Sequence, residues 1–345
     1  EAVMAASGGN MKIIYDDLGQ PSFMYRVSKF NLADVGMPGA GAHPAFRVQG
    51  IEVPEVWIGA YQSVILNGRA CSLPGLDPRT SVNFDTAINS CNAKGQGWHL
   101  MSNAEWSAAA ALSKAMGKTP RGNTNWGRAY DATYESGRRV DNVAPGTTSG
   151  TGRTYTGSGP ASWNHNGQEF GIADLCGNVW EWNSGLRLNN GEIQIIPDND
   201  AAAALDNGAT SAYWKAIMPD GTLVEPGTAG TLKYDATTAP TNGGIQIDNV
   251  VDFPSTDETY SYQEFETMVS DAGITIPDIM KQLALAPFGT HDGDRLYMRS
   301  NGERLPIRGG GWDGSAGAGL WALNLDDARS NAGGSLGFRP AFVDL

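Results

Sequence analysis

Two apolar runs flank a turn early in the chain. KIIYDDLGQPSFMYRV, residues 12–27, alternates on both sides of Asp-Leu-Gly-Gln-Pro and predicts a β-hairpin. IEVPEVWIGAYQSVIL, residues 51–66, continues as strand, with Pro54 at an edge or a bend. The period then lengthens. In SVNFDTAINSCNAKG, Phe84, Ala87, Ile88 and Cys91 share one helical face, and Gly95 supplies the stop. In SNAEWSAAAALSKAMGK, Ser102 and Glu105 have the spacing of a capping box, the Ala run favours helix, and Gly117 ends it.

Between residues 117 and 168 periodic apolar positions thin out, and Gly, Thr, Asn and Arg predict long ordered loops. GIADLCGNVWEWNSGLRL, residues 171–188, is dense in apolar and aromatic side chains. Trp180 and Trp182 alternate with Val179 and Glu181 as in a half-buried strand. Residues 189–303 change character and read as an insertion. Within them SAYWKAIMPDGTLVEPG predicts a hairpin around Pro-Asp-Gly, and SYQEFETMVSDAGITIPDIMKQLALAPF one or two short helices. No solenoid period recurs.

Composition narrows the class. A chain of 345 residues with 41% hydrophobic and 18% charged residues can build a globular core, as one large domain or two ordinary ones. A net charge of −13 argues against nucleic acid and against an anionic membrane, both of which need a basic face. No apolar run approaches the roughly 18 residues of a membrane span. The opening EAVMAASGGN lacks the basic region and apolar core of a signal peptide, and the missing initiator Met suggests a trimmed start. Cys71, Cys91 and Cys176 are odd in number and widely spaced, which reads as three small buried hydrophobes, with one bridge left open. His43, His99, His165 and His291 have no metal-ligand spacing, so surface or hydrogen-bonded structural roles outweigh catalysis.

Several fragments together resemble one family. SVNFDTAINSCNAKGQGWHLMSNAEWSAAA, FGIADLCGNVWEW, LPIRGGGW and LGFRPAF are similar, in that order, to segments of formylglycine-generating enzymes and their relatives. The resemblance covers about residues 50–190 and 304–345. It implies an α+β, loop-rich C-type lectin fold with 1–49 as a β-rich lead-in, 50–345 as the lectin-fold domain and 189–303 inserted in it. Glu181, between two Trp, reads as a structural hydrogen-bond acceptor, and Arg339 as a partner for an internal carboxylate or carbonyl. The family's oxidases use a cysteine pair in the C-terminal segment, yet residues 304–345 hold no Cys, His or Lys. The expectation is therefore no enzyme, no catalytic residue and no cofactor; a catalytically altered member of the superfamily is the alternative. Calcium-dependent lectins carry Glu-Pro-Asn or Gln-Pro-Asp and then Trp-Asn-Asp, and none of these occurs. Asp174 and Asn178 are the candidate ligands for a structural Ca²⁺.

The tail, 308–342, is the most informative stretch. From Gly309 to Gly337, 17 of 29 residues are Gly, Asn, Asp or Ser. A flexible linker would have that composition, but this one keeps an apolar frame: Trp312, Leu320, Trp321, Leu323, Leu325, Leu336 and Phe338 among others. Asn codons are AAC or AAT. Substituting guanine for their adenines yields Asp, Ser or Gly, and no stop codon. An Asn-rich parent altered at adenines resembles the template repeats of diversity-generating retroelements. That resemblance implies a variable region on a C-type-lectin-fold protein. The expected variable surface is Gly311, Asp313, Gly314, Ser315, Gly317, Trp321, Asn324, Asp326, Asp327, Asn331, Gly333, Gly334 and Ser335. The implied partner is a cell-surface protein or glycan of a host or neighbouring cell, and the implied location a virion tail tip or an extracellular surface. Neither nucleic acid nor membrane insertion is expected; a homo-oligomer is left open.

Overall fold

A computed structural model describes residues 1–238 and 243–345, so four residues of the 189–303 stretch lie outside the description. The architecture is mostly β with few helices. The first hairpin pairs Met11–Tyr15 with Pro21–Ser28. Asp16 closes its turn, Oδ1 accepting the N–H groups of Leu18 and Gln20. The second strand pairs with Glu55–Gly59, which pairs with Pro340–Phe342, which pairs with Trp98–Leu100. The expected lead-in is thus hydrogen-bonded into a five-stranded sheet with residues from near the other end of the sequence. Met11, Tyr25 and Val27 join the main core.

Both predicted helices form. Phe84–Asn92 starts on Asn83, whose side chain accepts the Thr86 N–H, and buries Phe84, Ala87 and Cys91. Asn103–Ala115 starts on the Ser102–Glu105 capping box and buries every residue from Asn103 to Ala111. Alanine has too little volume to hold neighbours apart, so sheet and loops close around this helix. Trp106 donates its indole N–H to the Leu320 carbonyl at 2.8 Å, which ties the helix to the tail.

The second sheet has 13 strands. Along its main path lie Ser261–Glu264, Arg295–Met298, Leu323–Asp327, Glu303–Arg308, Leu186–Asn189 and Glu192–Ile195. Trp180–Trp182 lies between Glu303–Arg308 and Leu336–Phe338, antiparallel to the first and parallel to the second. Residues 189–303 therefore share a sheet with the tail. The Pro-Asp-Gly hairpin forms from Lys215–Ile217 and Leu223–Val224. The 261–288 stretch holds the expected short helix, with a strand ahead of it. It opens as the strand Ser261–Glu264, paired with Arg295–Met298, before a 3₁₀ turn at Phe265–Thr267 and the short helix Asp278–Gln282. Cross-strand partners far along the chain override local periodicity here.

Residues 117–168 form the expected ordered loops. Buried Arg139 organises them, donating to both Asp141 oxygens and to the carbonyls of Thr147 and Ser149. The three cysteines are buried and free, so the bridge left open by the sequence is not made.

The division into frame and surface predicts two different responses. Trp182 is fully buried, stands edge-on to Phe84 and donates to the Val82 carbonyl at 3.0 Å. Trp182→Ala is expected to lose about 3–5 kcal/mol in chemical denaturation. Asp313→Asn, at an exposed position, should stay within about 0.5 kcal/mol. Equal losses in the two variants would contradict the division.

Candidate binding face

A buried polar knot underlies the tail. Arg339 forks onto Glu181, with Nε and Nη2 each 2.5 Å from a carboxylate oxygen, and donates also to the carbonyls of Gly59 and Ala173. Gln62 donates to Glu181 at 2.9 Å. All three side chains are fully buried, and Glu181 acts as the structural acceptor that its place between two Trp suggested. Arg308, likewise buried, donates to Asn103 Oδ1 and the Ala284 carbonyl, fastening the tail's first residue to a helix start and to the 189–303 segment.

The candidate calcium ligands Asp174 and Asn178 are both buried. Asn178 Oδ1 already accepts from the Thr154 N–H at 2.7 Å and from Asn123 at 3.1 Å, and Asp174 Oδ2 accepts the Gly157 N–H. Donors belonging to the loops thus occupy Asn178 Oδ1 and Asp174 Oδ2. Among the described residues, Asp235, Asp248 and Asp252 are the acidic side chains that approach one another most like a metal site, but Asp235 and Asp248 are taken up by backbone N–H groups.

All four histidines are buried. His43 bonds to Gln282 O and Ala45 N, His99 to Glu105 and Gly97 O, and His165 to Ile172 N. His291 is wedged among Phe265, Phe288 and Trp321. Burial lowers His43 and His165 to about 3 and His291 to about 4. These three are neutral packing groups at ordinary pH.

The tail residues divide. Asp313, Ser315, Asn331 and Gly334 are exposed; Gly314, Asn324, Asp326, Asp327, Gly333 and Ser335 are half-buried. Leu320, Leu323, Leu325, Leu336 and Phe338 are buried beneath them. Leu323–Asp327 is a strand, so Leu323 and Leu325 point to the core while Asn324 and Asp326 take the other face. Trp312 is half-buried rather than buried, covered by the loop residues Trp126, whose ring stands edge-on 6.5 Å away, and Gly152.

Three expected surface positions are corrected. Trp321 is 1% exposed: its ring meets Phe288 at 5.3 Å and His291 at 4.7 Å, both from the 189–303 segment. Gly311 is buried against the Trp180 ring, and Gly317 beneath Arg295 and Tyr297. In each case the cover is supplied by residues remote in sequence. The expected positions as a whole do not form one uniform group. Gly311, Gly317, Asn324 and Ser335 border Trp180 and Tyr297, whereas Asn331 donates to Asp327 and Gly333 accepts the Ser81 N–H.

Two features beside the tail escaped the sequence reading. Tyr260, Tyr262 and Tyr297 form a half-buried cluster with centroids 5.9–6.4 Å apart, and Trp180 stands edge-on to Tyr297. The strand Arg295–Met298 brings Tyr297 opposite both Tyr262 and Asn324. Alternating Tyr residues at 260 and 262 were the available signal. The second feature is a pocket of about 220 Å³ between residues 119–131, Cys176, Asp292, Asp294 and the tail residues Ala316 to Leu320. Burial, together with Asp294 and Asp131, pushes the Cys176 thiol well above its ordinary value. It stands as a protonated thiol rather than a nucleophilic thiolate.

Comparisons with known proteins bear on this arrangement. Residues 61–200 match the model of the sulfatase-modifying factor enzyme 1-like domain. No curated protein matches the chain. Similar solved structures include variable protein 1 of Treponema denticola, 13% identical at a TM-score of 0.35, with 96% of this chain and 98% of that chain covered. PvdO from Pseudomonas aeruginosa is 13% identical at 0.37, with 96% and 97% covered. A Major Tropism Determinant, the U1 variant, is 12% identical at 0.32, with 96% and 71% covered. Among the described residues no helix is long and apolar enough to cross a membrane. The stretch holding the Ser102–Glu105 capping box and the Trp180–Trp182 strand is thus similar to the sulfatase-modifying factor enzyme 1-like domain family, with the match ending at residue 200, before the tail begins.

Proposed function

We propose that this chain is a ligand-binding protein whose segment 308–342 is a diversified binding surface on a C-type lectin fold. In this reading 50–345 is the lectin-fold unit, with 189–303 inserted. The observation that carries it is the split within the tail: a buried frame of Leu320, Leu323, Leu325, Leu336 and Phe338 under small polar residues that are exposed or half-buried. A surface built so can change at Asp313, Ser315, Asn331 or Gly334 without touching the core. Binding is favoured over altered catalysis because Cys176, the cysteine nearest the tail, keeps its proton. The partner is a protein or glycan on a host or neighbouring cell, and the site of action a virion tail tip or an extracellular surface.

With Trp321 buried, the exposed tail contributes no large ring beyond half-buried Trp312. Affinity in binding faces rests on a few aromatic or Arg anchors, so a single copy should bind at about micromolar strength. Display of many copies should gain on the order of 10²–10⁴ through avidity. The measurement compares the isolated chain with a multimeric display on the same cells, for the natural tail and for tails exchanged at the four exposed positions. Attachment that changes with the tail while melting does not is the expected result. Attachment indifferent to the tail overturns the reading.

A further inference from the structure

The pocket beside the tail holds a buried carboxyl group that no cation among the described residues pairs with. Asp294 is one of its lining residues and is 5% exposed. Its Oδ2 accepts the Trp321 N–H at 2.8 Å, while Oδ1 has no donor among the described residues. Neither nearby cation pairs with Asp294, although Arg121 also lines the pocket. Arg121 gives Nε and Nη2 to Glu135, and Lys114 donates to the Thr290 carbonyl while lying over the Phe288 ring. Buried carboxylates are ordinarily paired with a cation or fully hydrogen-bonded. Asp131 and Asp292 add two exposed carboxylates to the lining. The tail wall is apolar: Ala316, Ala318 and Leu320.

An anion is repelled by such a site, and a purely apolar group leaves Asp294 unpaired. An ammonium on an alkyl stem satisfies both parts, methylenes against the tail wall and N–H groups on the carboxylates. The geometry points to a primary alkylammonium as the ligand of this pocket, supplied either by a lysine side chain of a partner protein or by a free polyamine. The inference rests on the reading of the tail as a binding face, because the tail builds one wall. Position 319 acts as its gate. A Cβ on Gly319 would fall 2.1–2.4 Å from the Asp294 carboxylate atoms, so any larger residue there displaces the carboxylate.

Burial first, then Asp292 and Glu266, push the Asp294 carboxyl up to about 8. Bound ammonium draws that proton off into solvent, so binding should tighten as pH rises toward this value. Asp131, Asp292 and Glu266 are the other carboxylates around it. The Cys176 thiol and Tyr130 hydroxyl, both raised by burial, the Lys114 ammonium, the Arg121 guanidinium on the pocket lining and the buried His291 ring are its other ionisable neighbours.

The test titrates the full chain calorimetrically with Nα-acetyl-lysine-N-methylamide, with 1,4-diaminobutane and with the Nε-acetylated form of the first compound. An amine should bind, tightening by up to about tenfold for each pH unit gained on the way up to the Asp294 value, and the Nε-acetylated compound should not. Asp294→Asn keeps an acceptor for Trp321. Ala316→Phe, at an exposed position, narrows the mouth and leaves Asp294 in place. Each should weaken binding by at least about tenfold. Preference for the capped lysine identifies a protein source, and preference for the diamine a polyamine. Equal binding of the acetylated compound, no heat from either amine at millimolar concentration, or binding untouched in both variants overturns the proposal. Tail-dependent cell attachment without amine binding defeats the pocket alone; amine binding without tail-dependent attachment defeats the binding-face reading alone.

Discussion

Arg339→Leu is expected to destabilise the chain by about 3–5 kcal/mol, because it strands the Glu181 carboxylate in a fully buried site. Gln62 would remain as a donor to Glu181, but one neutral amide does not replace a bidentate guanidinium. The carbonyls of Gly59 and Ala173 would lose their partner as well. The double variant Arg339→Leu/Glu181→Leu removes the stranded charge and should recover part of the loss. Urea denaturation of both variants checks this. A double variant as unstable as the single would show that lost packing, not the unpaired carboxylate, sets the cost.

Asp294→Asn is expected to change how stability depends on pH. The Asp294 carboxyl lies at about 8 in the folded chain, raised by burial and then by Asp292 and Glu266, against about 3.9 unfolded. The folded state therefore holds a proton that the unfolded state releases across this window. The stability linked to that proton is fully present below about pH 4 and is lost as pH rises through the folded value. Relative to Asp294→Asn, the parent chain should lose on the order of 3–5 kcal/mol between about pH 4 and pH 8, and no more above it. His43, His165 and His291, lowered by burial, have the opposite slope below about pH 6.5, but both chains carry them and their effect subtracts out. Parallel stability curves for the two chains across this range would show that Asp294 ionises as readily folded as unfolded.

The amino-acid sequence by itself determined the local elements and the frame. The hairpin at residues 12–27 and the capping box at Ser102 and Glu105 rest on neighbours within a few residues, so periodicity and turn chemistry suffice to read them. The Arg339–Glu181 contact was half legible. Each residue called for a buried partner, but which partner was not written in the chain. Only the tertiary structure decided what covers the tail. Trp321 is buried because Phe288 and His291 arrive from the 189–303 segment, and Gly311 and Gly317 because Trp180, Arg295 and Tyr297 lie over them. Asp294 meets the Trp321 N–H through the same long-range folding. Exposure is a property of what lies across a gap, and for the tail that material comes from strands whose pairing is set by distant partners rather than by local pattern.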